Sequence, residues 1–373
     1  MVLKSVKNNC PFVPLFKVFL APEEVLMPRL RDVLYSGQIT EGEPVYEFER
    51  RFASFVGLPN ILSFYSGTAA LHAALIMAGV QSGDEVISTP MTAEPTNMAI
   101  MHSGAKIVWA DVEPGNGNIS PDSIASKITH RTRAIMVVHY GGIPASMKRI
   151  REISDMHGIP VIEDAAHALG ARYGKAPVGA DSEYTMFSLQ AIKHMTTVDG
   201  GMLACKNPDD LPQGRRIRWF GIDRHAPRTE VDVKEVGYKY HMNNVNATIG
   251  LVQLDHISPV IERHIANGRY FDAALRGISG IELCHGDEAS ESSYWFYTVL
   301  TDRRDDLSRH LTDQGIGNSQ AHKRNDLHSV FADSRCDLPG LDSFYSRMLH
   351  IPCGWWVTDE DRERIVDTIK KGW

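Results

Sequence analysis

The sequence predicts an α/β fold with a mostly parallel central sheet flanked by helices, followed by a smaller C-terminal α+β domain. Between about residues 60 and 205, short apolar runs of strand character alternate with helical patterns. That rhythm belongs to parallel strands joined by crossover helices. Capping and turn residues fall at the joints, and a second unit begins near Ile257.

The expected strands of the first unit are Glu85–Ser88, Lys106–Ala110, Ala134–His139, Pro160–Glu163, Thr185–Leu189 and Gly201–Cys205. Between them the spacing predicts helices over Thr68–Ala78, Thr96–His102, Pro121–Ile128 and Ser146–His157. Ser120-Pro121 sets a capping hydroxyl before a proline suited to a first helical turn. Gly158-Ile159-Pro160 closes one helix and opens the next strand. A helix over Asn244–His256 ends the unit, so the domains are expected as 1–256 and 257–373. In the second, Tyr294–Leu300 reads as a strand, with helices at Asp305–Gly315 and Asp359–Lys371. No internal repeat or low-complexity tract is seen, which excludes a solenoid.

The chain has 373 residues, of which 43% are apolar and 23% charged, the profile of a soluble globular protein. Its net charge of −7, with no long run of either sign, gives no footprint for nucleic acid. The cysteines Cys10, Cys205, Cys284, Cys336 and Cys353 are scattered and form no CxxC pair. They suit a reducing cytosol rather than a disulfide framework or a zinc site. The N-terminal stretch lacks a secretory pattern, so a cytoplasmic protein is expected. Ile61–Gly83 carries no formal charge and approaches the length of a membrane span. Polar Ser63, Ser66, Thr68, His72 and Gln81 interrupt it, so a buried strand-turn-helix is expected and no membrane partner.

The chemistry-bearing residues fit a cofactor that stabilises carbanions, which needs a lysine, an acid at its pyridine nitrogen and a cradle for its phosphate. Asp164 ends the apolar run Val161-Ile162-Glu163, where ligands gather in open α/β sheets. It could equally be a strand-end cap. Lys193 stands in an otherwise apolar segment 29 positions further on (193 minus 164). Burying it charged is costly, so a neutral or imine-linked amine fits; a surface lysine with a snorkelling stem is the plain alternative. Ser66-Gly67-Thr68-Ala69-Ala70 is a small-residue helix start whose free N–H groups suit a dianion, with Ser188 as a further donor. An ordinary N-cap is compatible with that.

Gly115-Asn116-Gly117-Asn118-Ile119-Ser120 lacks the third glycine of a dinucleotide fingerprint and reads as a turn. The sixteen histidines show no close metal-ligand spacing, so no metal is expected. His139, His167, His194, His241 and His322 are either site lining or satisfied polar residues.

These motifs coincide in order with those of a known family. The run includes Gly37-Gln38-Ile39-Thr40-Glu41-Gly42, Ser66-Gly67-Thr68-Ala69-Ala70-Leu71 and Gly83-Asp84-Glu85. It continues through His139-Tyr140-Gly141-Gly142, Glu163-Asp164-Ala165-Ala166-His167, Phe187-Ser188 with Lys193, and Gly237-Tyr238-Lys239-Tyr240. Over nearly its whole length the chain resembles the DegT/DnrJ/EryC1/StrS sugar aminotransferases, which are fold type I pyridoxal-phosphate enzymes.

The resemblance implies pyridoxal 5'-phosphate as cofactor, in the pyridoxamine form during turnover. Lys193 would be the Schiff-base lysine and proton shuttle, Asp164 the partner of the pyridine nitrogen, and His167 a neighbour of the cofactor hydroxyl. Gly67, Thr68 and Ser188 would hold the phosphate. Lys239, His241 and Asn243 would reach it from a neighbouring subunit, implying a homodimer with shared sites. Gln38, His322, Asn325 and His328 are implied to approach the substrate. The reaction implied moves an amine, from glutamate by resemblance, to a keto group of a nucleotide-linked deoxysugar. Two departures stand out: Ala93 replaces the aromatic residue that stacks on the cofactor in many relatives, and His241 replaces arginine or asparagine. The rivals are a pyridoxamine-dependent sugar dehydratase, disfavoured because those relatives replace the lysine with histidine, a silent regulatory member, and a cyclitol acceptor.

Overall fold

A computed structural model describes residues 11–224 and 226–373. Cys10 and the rest of the N-terminal stretch lie outside the described residues.

The central sheet contains β1 (Ile61–Phe64), β2 (Glu85–Ser88), β3 (Lys106–Trp109), β4 (Thr132–Val138), β5 (Val161–Asp164), β6 (Tyr184–Ser188) and β7 (Gly201–Cys205). Their spatial order is β1-β7-β6-β5-β4-β2-β3. Only β7 runs against its neighbours. Both faces of the sheet are covered, so its strands read as continuous apolar runs. Along β4, Ala134 and Met136 enter one core while Ile135 and Val137 enter the other.

The helices of the first unit are α1 (Glu23–Tyr35), α2 (Glu43–Val56), α3 (Gly67–Met77), α4 (Glu94–His102), α5 (Pro121–Lys127), α6 (Met147–His157), α7 (Leu211–Arg218) and α8 (Asn244–Leu254). On one face α3, α4 and α7 bury Ala70, Leu75, Ile100 and Ile217. On the other lie α2 and α8 with Val45, Phe48, Phe52 and Ala247, and α5 and α6 with Ile124 and Ile150. The uncharged stretch after residue 60 is β1, a turn and α3, as the polar interruptions imply. No helix among the described residues is long and apolar enough to cross a membrane.

Beyond α8 come α9 (Ile257–Ala274), α10 (Arg304–Asp313), α11 (Pro339–Arg347) and α12 (Asp359–Lys370). An antiparallel sheet of β8 (Glu282–Leu283), β9 (Tyr297–Leu300) and β10 (Met348–Ile351) packs with them. Its core joins Val299 and Ile351 to Leu307, Leu311, Ile365 and Ile369, and takes in Val13, which pairs with Ile316.

Three differences from the sequence reading have physical causes. The strand expected from Tyr294 starts at Tyr297, because Tyr294 has a φ of +48° that no strand accommodates. Helix α2 was hidden by charge: Glu49 on its inner face is buried only because Arg218 meets it there. Helix α9 buries His264, Asn267 and Gly268, which obscure its apolar period. The segment Gly115–Ser120 is a turn closed by the bridge between Val112 and Ile119.

Candidate active site

A cavity of about 350 Å³ opens where Val138, Asp164 and Ser188 end β4, β5 and β6. The starts of α3 and α4 complete its wall, together with Lys193, Trp295 and His322. Ligands in open α/β sheets bind at this end of the strands.

Asp164 is buried at the tip of β5. Its Oδ2 accepts from Thr96 Oγ1 at 2.7 Å and its Oδ1 from the Ala166 N–H at 3.0 Å. Thr92 Oγ1 lies 2.8 Å from Thr96 Oγ1 and extends the chain of hydroxyls. Burial pushes the carboxyl up; the two donated hydrogen bonds and the nearby Lys193 and His139 oppose that. With both oxygens accepting, the ionised form is the one this geometry holds.

Lys193 sits in the loop between β6 and β7, its N–H bonded to Gln190 O at 3.0 Å. The loop is pinned at its base, where Leu189 N–H donates to Gly200 O and Thr197 N–H to Leu189 O. Burial lowers the ammonium to about 7, against the pull of the Asp164 charge. A good part of the amine is therefore neutral near neutral pH, as a nucleophile and proton carrier requires.

His167 and His322 face the same space with their rings parallel, 5.7 Å apart and 1° from coplanar orientation. His167 Nδ1 accepts the Gly141 N–H at 3.4 Å, which leaves Nε2 as the protonated nitrogen of a neutral ring. Burial holds His167 well below its usual range and takes His322 to about 4. His322 Nε2 is buried without a partner.

The third part is the start of α3. Ser66 Oγ caps the helix by accepting from the Ala69 N–H at 3.1 Å. The N–H groups of Gly67 and Thr68, in the first turn, have no intrahelical acceptor and border the cavity beside Ser188. Glycines let the helix come this close. A Cβ on Gly67 would lie 2.9 Å from Met186 Sδ, and one on Gly201 would lie 2.5 Å from Ser66 O. A buried carboxylate, a buried near-neutral amine and a dianion cradle in one cavity fit pyridoxal phosphate.

Not every residue singled out by the sequence lies here. Gln38 is exposed in a separate groove between α1, α2 and α8, where its carbonyl accepts from Asn244 Nδ2 at 2.7 Å. Lys239 is exposed, and His241 packs edge-on against Trp219 with its Nδ1 unpartnered. Asn243 caps α8 through the Asn246 N–H at 2.9 Å. None of these three lines the cavity of its own chain.

Asn325 does not line the cavity and stands behind its wall as a strut. It is fully buried, donates to Thr92 O at 2.8 Å, and accepts from Asn97 Nδ2 at 2.8 Å. His328 is not among the lining residues but lies 3.2 Å from the carboxylate of Glu94, which is. His139 is satisfied in the core by Glu163 Oε2 at 2.7 Å and the Ala145 N–H at 3.0 Å. His194 is buried against the Ser293 carbonyl.

Thr92, Thr96, Glu94 and Trp295 line the cavity without having been singled out. Thr92 stands two residues before α4 and Thr96 in its first turn, so their hydroxyl contact at 2.8 Å comes from the bend into the helix rather than from a helical face. Trp295 gave no signal in the sequence, because its place depends on the bend at Tyr294.

The solved structure of AtS13 from Actinomadura melliaura superposes with a TM-score of 0.94 at 39% identity, covering 98% of this chain and all (100%) of that one. The sugar aminotransferase CalS13 from Micromonospora echinospora gives 0.93 at 38% identity, over 96% of this chain and 100% of its own. Spr1654 of Streptococcus pneumoniae, a putative sugar aminotransferase solved in PLP and PMP forms, gives 0.87 and 0.88 at 27% identity. Both cover 98% of this chain, with 98% of the PLP-form chain and 97% of the PMP-form chain matched. The model of the DegT/DnrJ/EryC1/StrS aminotransferase family matches residues 22–370. The chain therefore belongs to the DegT/DnrJ/EryC1/StrS aminotransferase family, and is a fold type I, pyridoxal-phosphate-dependent aminotransferase.

Proposed function

We propose that this enzyme transfers an amino group from glutamate to a keto group of a nucleotide-linked deoxysugar, in amino-sugar biosynthesis in the cytoplasm. The single observation that carries the reading is the shared burial of the Lys193 amine and the Asp164 carboxylate in one cavity beside the start of α3. The sugar acceptor is supported by the likeness to CalS13. The nucleotide and the glutamate rest on the family resemblance.

When bound, pyridoxal phosphate draws electrons from the carbon that carries the transferred nitrogen. In our reading Lys193 would hold the cofactor, and its amine, when free, would carry protons in both halves of the exchange. Asp164, fixed by Thr96 and Ala166, would place a negative charge opposite the pyridine nitrogen. Gly67, Thr68 and Ser188 would hold the phosphate, and His167 would lie at the cofactor's hydroxyl side. Neutral His322, with a free buried nitrogen, offers a hydrogen bond to the substrate. His328 is placed as a substrate contact beside Glu94.

We further propose a homodimer. Lys239, His241 and Asn243 do not line their own chain's cavity, so in this reading they serve a neighbouring one. Apolar side chains exposed on α1, among them Met27, Leu34 and Tyr35, support a covered face. The division into a cofactor-binding unit, 1–256, and a smaller unit, 257–373, is part of the same proposal.

The test has two arms. Borohydride treatment of the holoenzyme should fix the cofactor to the peptide carrying Lys193; a label on any other peptide defeats the assignment. Keto-sugar nucleotides should then return the pyridoxamine form to the aldehyde form in a spectroscopic panel. If only cyclitol ketones or free sugars do so, the acceptor is wrong.

A further inference from the structure

The cavity holds a large aromatic side chain that the motifs do not explain. Trp295 is only 1% exposed, and its indole is clamped by neighbours. It stacks on His167 at 3.8 Å and 16°, and on Phe16 at 4.8 Å and 29°. Its Nε1–H donates to the carbonyl of Ile192 at 2.9 Å, one residue before Lys193. The Lys193 Nζ lies 3.9 Å from the centroid of the same ring. The left-handed φ of +48° at Tyr294 turns the chain just before this indole, so the contact uses a backbone conformation that side chains usually avoid.

We infer that Trp295 is a positioning residue for Lys193: its ring face is where the lysine amine rests when not bonded to the cofactor, and its N–H steadies the backbone that carries the lysine. The inference rests on Lys193 being the reactive amine. A lysine chain has several rotatable bonds and scatters unless something holds its end. The Asp164 carboxylate is committed to Thr96 and Ala166, whereas a π face attracts an ammonium without accepting its proton. A rigid ring, held by His167 and Phe16 and tied to the same loop, therefore keeps the freed amine near the place it must act again. This also gives a role to an aromatic wall in a site that has Ala93 where many relatives carry a ring.

The test compares Trp295→Phe, which keeps a ring and loses the indole N–H, with Trp295→Met, which fills space without a ring. In the apoprotein, the midpoint for acetylation of Lys193 is read by peptide mass spectrometry as a function of pH. Removing the ring removes a stabiliser of the ammonium, so in the Met variant the midpoint should fall by about 0.4 to 1.5 pH units. The Phe variant should stay close to the parent. In the holoenzymes, kcat should fall more in the Met variant than in the Phe variant, with KM for the acceptor little changed. Equal midpoints in parent, Phe and Met proteins would overturn the inference, as would a rise in the Met variant. Should the Met variant not fold, a Leu variant with the same readout takes its place. The acetylation midpoint is independent of the borohydride label, so failure of this inference is distinguishable from failure of the Lys193 assignment.

Discussion

Thr96 Oγ1 donates to Asp164 Oδ2 at 2.7 Å, and both residues are buried. The first turn of α4 thus steadies the acid at the tip of β5, although 68 positions separate them. Asp164 could not remain ionised in this cavity without such donors.

The first prediction concerns that bond. Thr96→Val keeps the shape and removes the donor, which leaves a buried acceptor short of a partner at a cost of about 1–3 kcal/mol. Cofactor affinity or kcat should drop by roughly tenfold to a hundredfold, while Asp164→Asn should be far more damaging. Cofactor titration and steady-state kinetics check this; a fully active Thr96→Val enzyme would show that Asp164 does not depend on the hydroxyl.

A second prediction follows from the lowered ammonium of Lys193. Its value falls from 10.5 to about 7 in the folded chain. Between those values the unfolded chain binds the proton and the folded chain does not, so this group makes apoprotein stability fall as pH drops from 10.5 towards 7. Below 7 the cost is fully present. Lys193→Met removes it, so the variant apoprotein should gain on the order of 2–4 kcal/mol over the parent near pH 6 and little near pH 10.5. Urea unfolding at both pH values measures the difference. An equal gap at the two would contradict the assignment of a desolvated amine.

Third, Gly201→Ala should disturb the phosphate cradle from behind. Its Cβ would meet Ser66 O at 2.5 Å and the Gly67 amide nitrogen at 2.7 Å, and backbone has little room to yield. A stability loss of about 1–3 kcal/mol is expected, with cofactor affinity reduced at least tenfold. Thermal melts with and without pyridoxal phosphate test it, and unchanged ligand-induced stabilisation would argue against α3 as the cradle.

A fourth prediction is structural. Arg218 is 2% exposed and pairs with Glu49 Oε1 at 2.5 Å and with Glu41 Oε1 at 2.9 Å. Glu49 Oε1 also accepts from the N–H and hydroxyl of Ser63 on β1, the strand that leads into the cradle. Arg218→Met takes the cation from buried Glu49 and leaves Glu41 with Arg224 alone, and should cost about 3–5 kcal/mol. A change below 1 kcal/mol in chemical denaturation would mean that water reaches the cluster.

Much of the central sheet was legible because its strands are uniformly apolar and its joints carry glycine, proline and capping hydroxyls. Glu85–Ser88 and Gly201–Cys205 fall where the sequence placed them. Lys193, Asp164, His167, Gly67, Thr68 and Ser188 could be picked out as an ordered motif, and one cavity gathers all six. The segment 239–243 and Gln38 could also be picked out, but not their distance from that cavity in a single chain.

The sequence alone determined the alternation that builds a parallel sheet and the residue types that pyridoxal chemistry needs, because both are written in local order. Only the tertiary structure decided which groups share a cavity. Asn325 went to brace the Thr92 loop, while Thr96 and Trp295 came to lie against Asp164 and Lys193. Such contacts arise from packing between elements far apart in the chain, and burial, which sets the charge of the lysine and the acid, exists only once those elements have met.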